Sequence, residues 1–123
     1  MITSKAERIK ARLVALQSLT PELEAAAVIS VEGLMISSSL PESIADDRMA
    51  AMSAAMLALG ERIAKDLDRG ELTQMYIKGN DGYVVLMSMD DRAVLASLAS
   101  EDAKLGLVLL DLQEAVVDLK RLL

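Results

Sequence analysis

The apolar positions of the first segment recur at helical spacing. Ala6, Ile9, Leu13 and Leu16 share one side of a helix over residues 4–19, with Lys5, Arg8 and Arg12 turned away from them. Thr20 and Pro21 end it. The spacing then changes: residues 23–31 are rich in alanine and β-branched side chains, break at Glu32-Gly33 and resume over 34–38, which predicts two short strands joined by a tight turn. A loop over 39–45, containing Pro41, leads into a second helix at about 47–68, with Asp46 or Asp47 as its expected N-cap and Gly70 as its stop. Three strands follow, at 72–78, 83–89 and 93–98. The links between them, Gly79-Asn80-Asp81-Gly82 and Asp90-Asp91-Arg92, are short enough to require antiparallel neighbours. Ser100 is the expected N-cap of a last helix with Glu101 and Asp102 in its first turn. Its stripe is Leu105, Val108, Leu112, Ala115, Val116 and Leu119, and Asp111, Glu114 and Asp118 face water.

The order is therefore α-β-β-α-β-β-β-α. The run Tyr83-Val84-Val85-Leu86-Met87 is apolar on both alternating faces, so its sheet must be covered on both sides. The expected fold is α/β in the broad sense (α+β): a five-stranded antiparallel sheet with one helix on one face and the two terminal helices on the other. It forms a single domain over residues 1–123, with no linker or repeat inside it.

The middle helix carries more apolar surface than one sheet can cover. Met49, Met52, Met56, Leu59, Ile63 and Leu67 fall in one arc, which is the arc expected to lie on the sheet. Residues 49–60 nevertheless contain no charge at all, and Ala50, Ser53, Ala54, Leu57 and Ala58 point elsewhere on the wheel. A helix that is apolar all round needs a second cover, and a second copy of the chain meeting it across a two-fold axis is the simplest one. The strand at 72–78 would then be a sheet edge, protected by pairing with its symmetry mate. The expected dimer contact comprises Ala50, Ser53, Ala54, Leu57, Ala58 and Glu61 on the helix, with Leu72, Gln74 and Tyr76 on the strand.

Composition narrows the chemistry. There is no Cys and no His, which removes disulfides, thiolate chemistry, the commonest general base and the commonest metal ligand. Net charge is −6 and the only aromatics are two tyrosines, leaving neither a basic footprint nor stacking platforms for nucleic acid. No apolar run approaches the roughly 18 residues of a membrane span, and no export signal is recognisable, so a cytoplasmic location is expected and membrane association is not. Residues 1–19 hold Lys5, Arg8, Lys10 and Arg12 against Glu7, a local +3, so the remainder sums to −9. The basic face is expected to be solvated.

No catalytic constellation emerges. Ser37-Ser38-Ser39 lacks a base to activate it, and the glycines of 78–82 lie in a hairpin instead of at a helix N-terminus, so no nucleotide cradle is expected. Asp46, Asp47, Asp81, Asp90 and Asp91 occupy cap and turn positions that favour Asp for local reasons; no metal and no cofactor is expected. Arg48, Arg62 and Arg69 would suit an arginine finger, but beside Asp47, Asp66 and Asp68 they read as ordinary surface arginines. The chain is thus expected not to be an enzyme.

Three stretches carry a family resemblance: Val28-Ile29-Ser30-Val31-Glu32-Gly33-Leu34 as strand, acidic-Gly turn and strand; the charge-free helix around 50–60; and the hairpin Lys78-Gly79-Asn80-Asp81-Gly82-Tyr83-Val84-Val85-Leu86. Over residues 5–120 the chain resembles the roadblock family, the group related to a dynein light chain and to bacterial and archaeal regulators of a Ras-like gliding-motility GTPase. The resemblance implies a homodimer with a continuous sheet, and a non-catalytic role as regulator or scaffold for a Ras-like small GTPase or a larger protein assembly. It places the partner-facing surface on the shoulders of the middle helix, near Arg48, Ala51, Ala55 and Arg62. The alternative is a small-molecule sensor domain of the PAS or GAF type, whose sheet also carries flanking helices but whose pocket needs more aromatic and polar liners than two tyrosines supply.

Overall fold

The computed structural model describes residues 3–123. Its elements are α1 (Lys5–Leu19), β1 (Leu23–Ser30), β2 (Met35–Ser39), α2 (Asp46–Asp66), β3 (Gln74–Gly79), β4 (Gly82–Ser88), β5 (Ala93–Ser100) and α3 (Leu105–Leu122), in the expected order. The strands form one antiparallel sheet in the spatial order β2-β1-β5-β4-β3. Both hairpins sit at the flanks, and the β1–β5 pairing closes the centre.

Alternation along the central strands separates two cores. Val28, Val85, Met87 and Leu95 point to the side covered by α1 and α3, where they meet Ile9, Leu13, Leu16, Leu112 and Leu119. Ala27, Ile29, Leu86, Val94 and Ala96 point to the other side, under α2. The two terminal helices are tied together by Arg12, whose guanidinium lies 2.9 Å from Asp118, and by Thr20, whose hydroxyl donates to Asp111 at 2.7 Å. Asp111 and Asp118 therefore serve the α1–α3 seam instead of facing water as their spacing suggested, and Arg12 is drawn into the same seam.

The helix ends depart from expectation in instructive ways. Ala45 is the N-cap of α2 and makes no side-chain cap bond; Asp46 and Asp47 lie inside the first turn, where their charge still opposes the helix dipole. Ser100 stays in β5, paired with Gly82, so α3 begins only at Leu105. At the end of α2 the left-handed position falls to Asp68 (φ 57°), and Gly70 turns later. The Arg69 amide donates to the Ala64 carbonyl and the Asp68 amide to that of Lys65, the paired bonds of a Schellman end with a non-glycine residue at its left-handed site.

At the β4–β5 turn Asp90 takes φ 75°, its carboxylate accepting from the backbone and guanidinium of Arg92. Arg92 also reaches the Lys120 carbonyl near the end of α3. These bonds hold the Asp90 carboxyl below its ordinary value of 3.8, the side-chain bond from Arg92 being the main cause.

Two stability predictions follow from these ends. Asp68→Gly relieves the left-handed strain and should raise stability by roughly 0.5 kcal/mol net of the added chain entropy, about 2 °C in thermal melts. Because the Asp90 pKa is lowered on folding, its contribution is present above about pH 4 and fades as pH falls through the lower folded value. Asp90→Asn should therefore flatten the acid limb of a stability-versus-pH curve measured by denaturant midpoints.

Candidate functional site: the outer face of α2 and the β3 edge

The helix α2 meets the sheet through its smaller side chains. Ala50, Ser53 and Leu57 are buried together with Met49 and Gly60, and Ala54 is half-buried. The floor beneath is also small, since Ala27 and Ala96 sit directly opposite each other in the β1–β5 ladder. Gly60 marks the closest approach to the start of β3: a β-carbon there would run into Met75 and Leu72. A mid-helix glycine costs about 1 kcal/mol against alanine, so its place on this arc reflects packing.

The expected orientation of α2 is thus turned by about a quarter: Met49 and Met56 lie on the sheet side as expected, and the other long side chains of that arc turn outward. Leu57 is 4% exposed, whereas Met52, Leu59 and Ile63 are 55%, 60% and 49% exposed, and Leu67 is exposed just beyond the helix. Both arcs are apolar, so periodicity could not rank them. The signal that could have done so is the alignment of Gly60, Ser53 and Ala50 on one side, because only small residues allow a helix to settle on an alanine floor. Ala50, Ser53 and Leu57 are accordingly withdrawn from the expected dimer contact, since they belong to the protomer's own core. Ala58 and Glu61 are exposed on the flank of α2.

The strand part of that contact is placed at the sheet margin. β3 is an edge strand with an unbroken register against β4 from Gln74–Met87 to Gly79–Gly82. Leu72 precedes it and packs toward Gly60, Gln74 is half-buried, and Tyr76 and Ile77 are exposed. Neither face of β3 is fully covered, because α2 packs chiefly on β1, β2 and β5 and α3 chiefly on α1, β4 and β5. An apolar groove of about 500 Å³ runs between Met52 and Met56 of α2 and the sheet row Ile77, Val84 and Leu98. The opposite margin differs: β2 is five residues long, its register shifts at Val28/Ile29, and Ser37 donates to the Ala6 carbonyl of α1.

Arg48, Ala51, Ala55 and Arg62 are all exposed on the outer shoulder of α2, on the side away from the sheet. Arg62 lies 3.6 Å from Asp66 one turn on, an exposed pair worth little. Among the described residues Arg48 forms no ion pair, and no group of three or more acidic side chains is placed to hold a metal ion. No described helix is long and apolar enough to cross a membrane.

A small α+β module with an open sheet edge beside a helix that is apolar on two sides is a recognisable class. The chain belongs to the Roadblock/LC7 domain family, whose model matches residues 9–99, from the middle of α1 to the end of β5. It is similar to the Methanocaldococcus jannaschii protein MJ1340, at 28% identity over 101 residues, covering 82% of this chain and 88% of that one. Among solved structures it superposes on Myxococcus xanthus MglB with a TM-score of 0.87 at 21% identity, covering 98% of this chain and 91% of that one. A second MglB structure, described as having a tetrameric arrangement, gives 0.86 at 21% identity, with 99% and 92% covered. These likenesses establish the fold.

The rotated helix has a direct energetic test. Leu57→Ala should cost about 3 kcal/mol, as for a filled core site. Leu59→Ala should cost less than about 1 kcal/mol when unfolding midpoints are extrapolated to low protein concentration, where any self-association is diluted away.

Proposed function

We propose that the protein is a non-catalytic homodimeric platform for a Ras-like small GTPase. The observation that carries this reading is the row Met52, Leu59 and Ile63, about half exposed on α2 and flanked by the edge strand β3, which is paired on one side only and partly covered. A large apolar stripe beside an open strand is costly to leave in water and prone to uncontrolled pairing. Antiparallel pairing of β3 with its mate would satisfy the edge and bring the partner's α2 toward the groove beside Met52 and Ile77. The contact then consists of Met52, Met56, Leu59 and Ile63 with the β3 backbone, while Ala58 and Glu61 lie on the other flank of α2 and the Tyr76 side chain on the opposite face of the sheet. A specific dimer buries about 1,200–2,000 Å², the scale of one helix face and one strand from each copy.

The GTPase assignment rests on the family resemblance of the sequence together with the shape of the dimer. Arg48, Ala51, Ala55 and Arg62 of the two copies would lie on one outward surface, an alanine floor bounded by guanidinium groups that a globular partner can approach closely. Regulation would come from contacts on the switch regions of the GTPase, or from placing it in an assembly, without a side chain entering its active site.

Sedimentation tests the first half of this reading. The parent chain should run as a dimer, and Leu59→Glu, which sets a charge against a dry contact, as a folded monomer with unchanged helical circular dichroism. A monomeric parent would remove the reading. For the second half, GTP hydrolysis and nucleotide release by a Ras-like GTPase should change on adding the parent and not on adding Leu59→Glu. A loss of several orders of magnitude in stimulated hydrolysis in Arg48→Ala or Arg62→Ala would assign a catalytic arginine instead of a passive platform.

A further inference from the structure

The two aromatic residues of the chain meet each other. Tyr76 on β3 and Tyr83 on β4 stand edge to face with ring centroids 6.3 Å apart, and the Lys78 ammonium lies 5.6 Å from the centre of the Tyr83 ring. Strand alternation puts all three on the side of the sheet away from α2, since Met75 and Ile77 face the helix. Tyr83 is anchored against the α1–α3 core, while Tyr76 remains 51% exposed. A tyrosine pair on an uncovered sheet face has the large, rigid, amphipathic character that interfaces favour.

The charge around this face is one-sided. Asp81 occupies the turn between Gly79 and Gly82, and Gly82 pairs with Ser100, which brings Glu101 and Asp102 to the same end of the hairpin, all three carboxylates exposed. Against them stands Lys78, already over one ring; the sum stays negative with Lys104 of the following loop included. An open tyrosine ring on a hairpin whose turn end is acidic suits a cation: the ring face attracts a guanidinium and the acids add long-range attraction.

From this we infer that the β3–β4 face bearing Tyr76 is a second docking surface, and that its occupant is an arginine-bearing basic segment of a partner protein. It is separate from the surface assigned to self-association, because pairing of β3 uses the strand's edge and the α2 side, leaving this face open in a dimer.

The chain supplies its own reporter, since it holds no Trp and its two tyrosines both lie in this patch. The parent protein is titrated with a synthetic Arg-Gly repeat peptide lacking aromatics, and with a Glu-Gly repeat of equal length, while tyrosine fluorescence is followed. The expected result is a saturable change with the arginine peptide only, weakening steeply as salt is raised. Isothermal calorimetry on Tyr76→Ala should show affinity at least tenfold weaker, Tyr76→Phe should keep it, and Asp81→Asn, in the turn and away from the edge, should weaken it severalfold. Equal binding of the acidic peptide, no saturable response, or full affinity in Tyr76→Ala with an unchanged melting temperature would each overturn the inference. Sedimentation of the same variants separates the outcomes: a monomeric parent that binds the arginine peptide refutes the dimer and leaves this surface standing.

Discussion

The fit of α2 onto a floor of alanines is the contact on which the rest of the molecule depends. Ala27 and Ala96 leave a shallow bed across the centre of the sheet, and a helix settles on such a bed only through a row of equally small side chains. Ala50, Ser53 and Gly60 provide that row, with Met49 and Leu57 as the long anchors beside it. Once the compact side of the helix is committed inward, its bulky side has no place but outward. The exposed stripe is thus the counterpart of close packing beneath it, and no residue can be moved between the two arcs without loosening one of them.

The remaining architecture follows from covering the sheet unequally. On one side two helices share the work and are locked by Arg12–Asp118 and Thr20–Asp111. On the other a single helix lies toward the β2 margin. β3 and the turn end of its hairpin therefore project past their cover, and the surfaces assigned to function lie at this overhang or on the helix beside it. Stability resides in β1, β5 and the helices upon them; recognition is assigned to the margin.

Much of this was legible in the chain. The element order and the layer arrangement followed from changes of hydrophobic period at Thr20, Glu32-Gly33, Gly70 and Asp90-Asp91. Element ends were less legible, because capping depends on where neighbouring strands stop: Ser100 is a good N-cap by type, but its pairing with Gly82 keeps it in β5. Asp68 took the left-handed site expected near Gly70 because the helix closes two residues earlier. The helix-to-sheet face was read correctly at Met49 and Met56 but misplaced at Met52 and Leu57, which are equally apolar in a linear pattern and are told apart only by the three-dimensional bed. The Tyr76–Tyr83 pairing was likewise hidden, as it depends on a register that two-residue turns permit but hydrophobic pattern does not specify.

The two margins of the sheet are unlike. One strand is even and bare; the other is short, kinked by the irregularity at Val28/Ile29 and fastened to α1 by Ser37. Were both margins even, each added molecule would expose a fresh template and ribbons could lengthen without limit. With only one competent margin, growth by strand addition would stop after a single event.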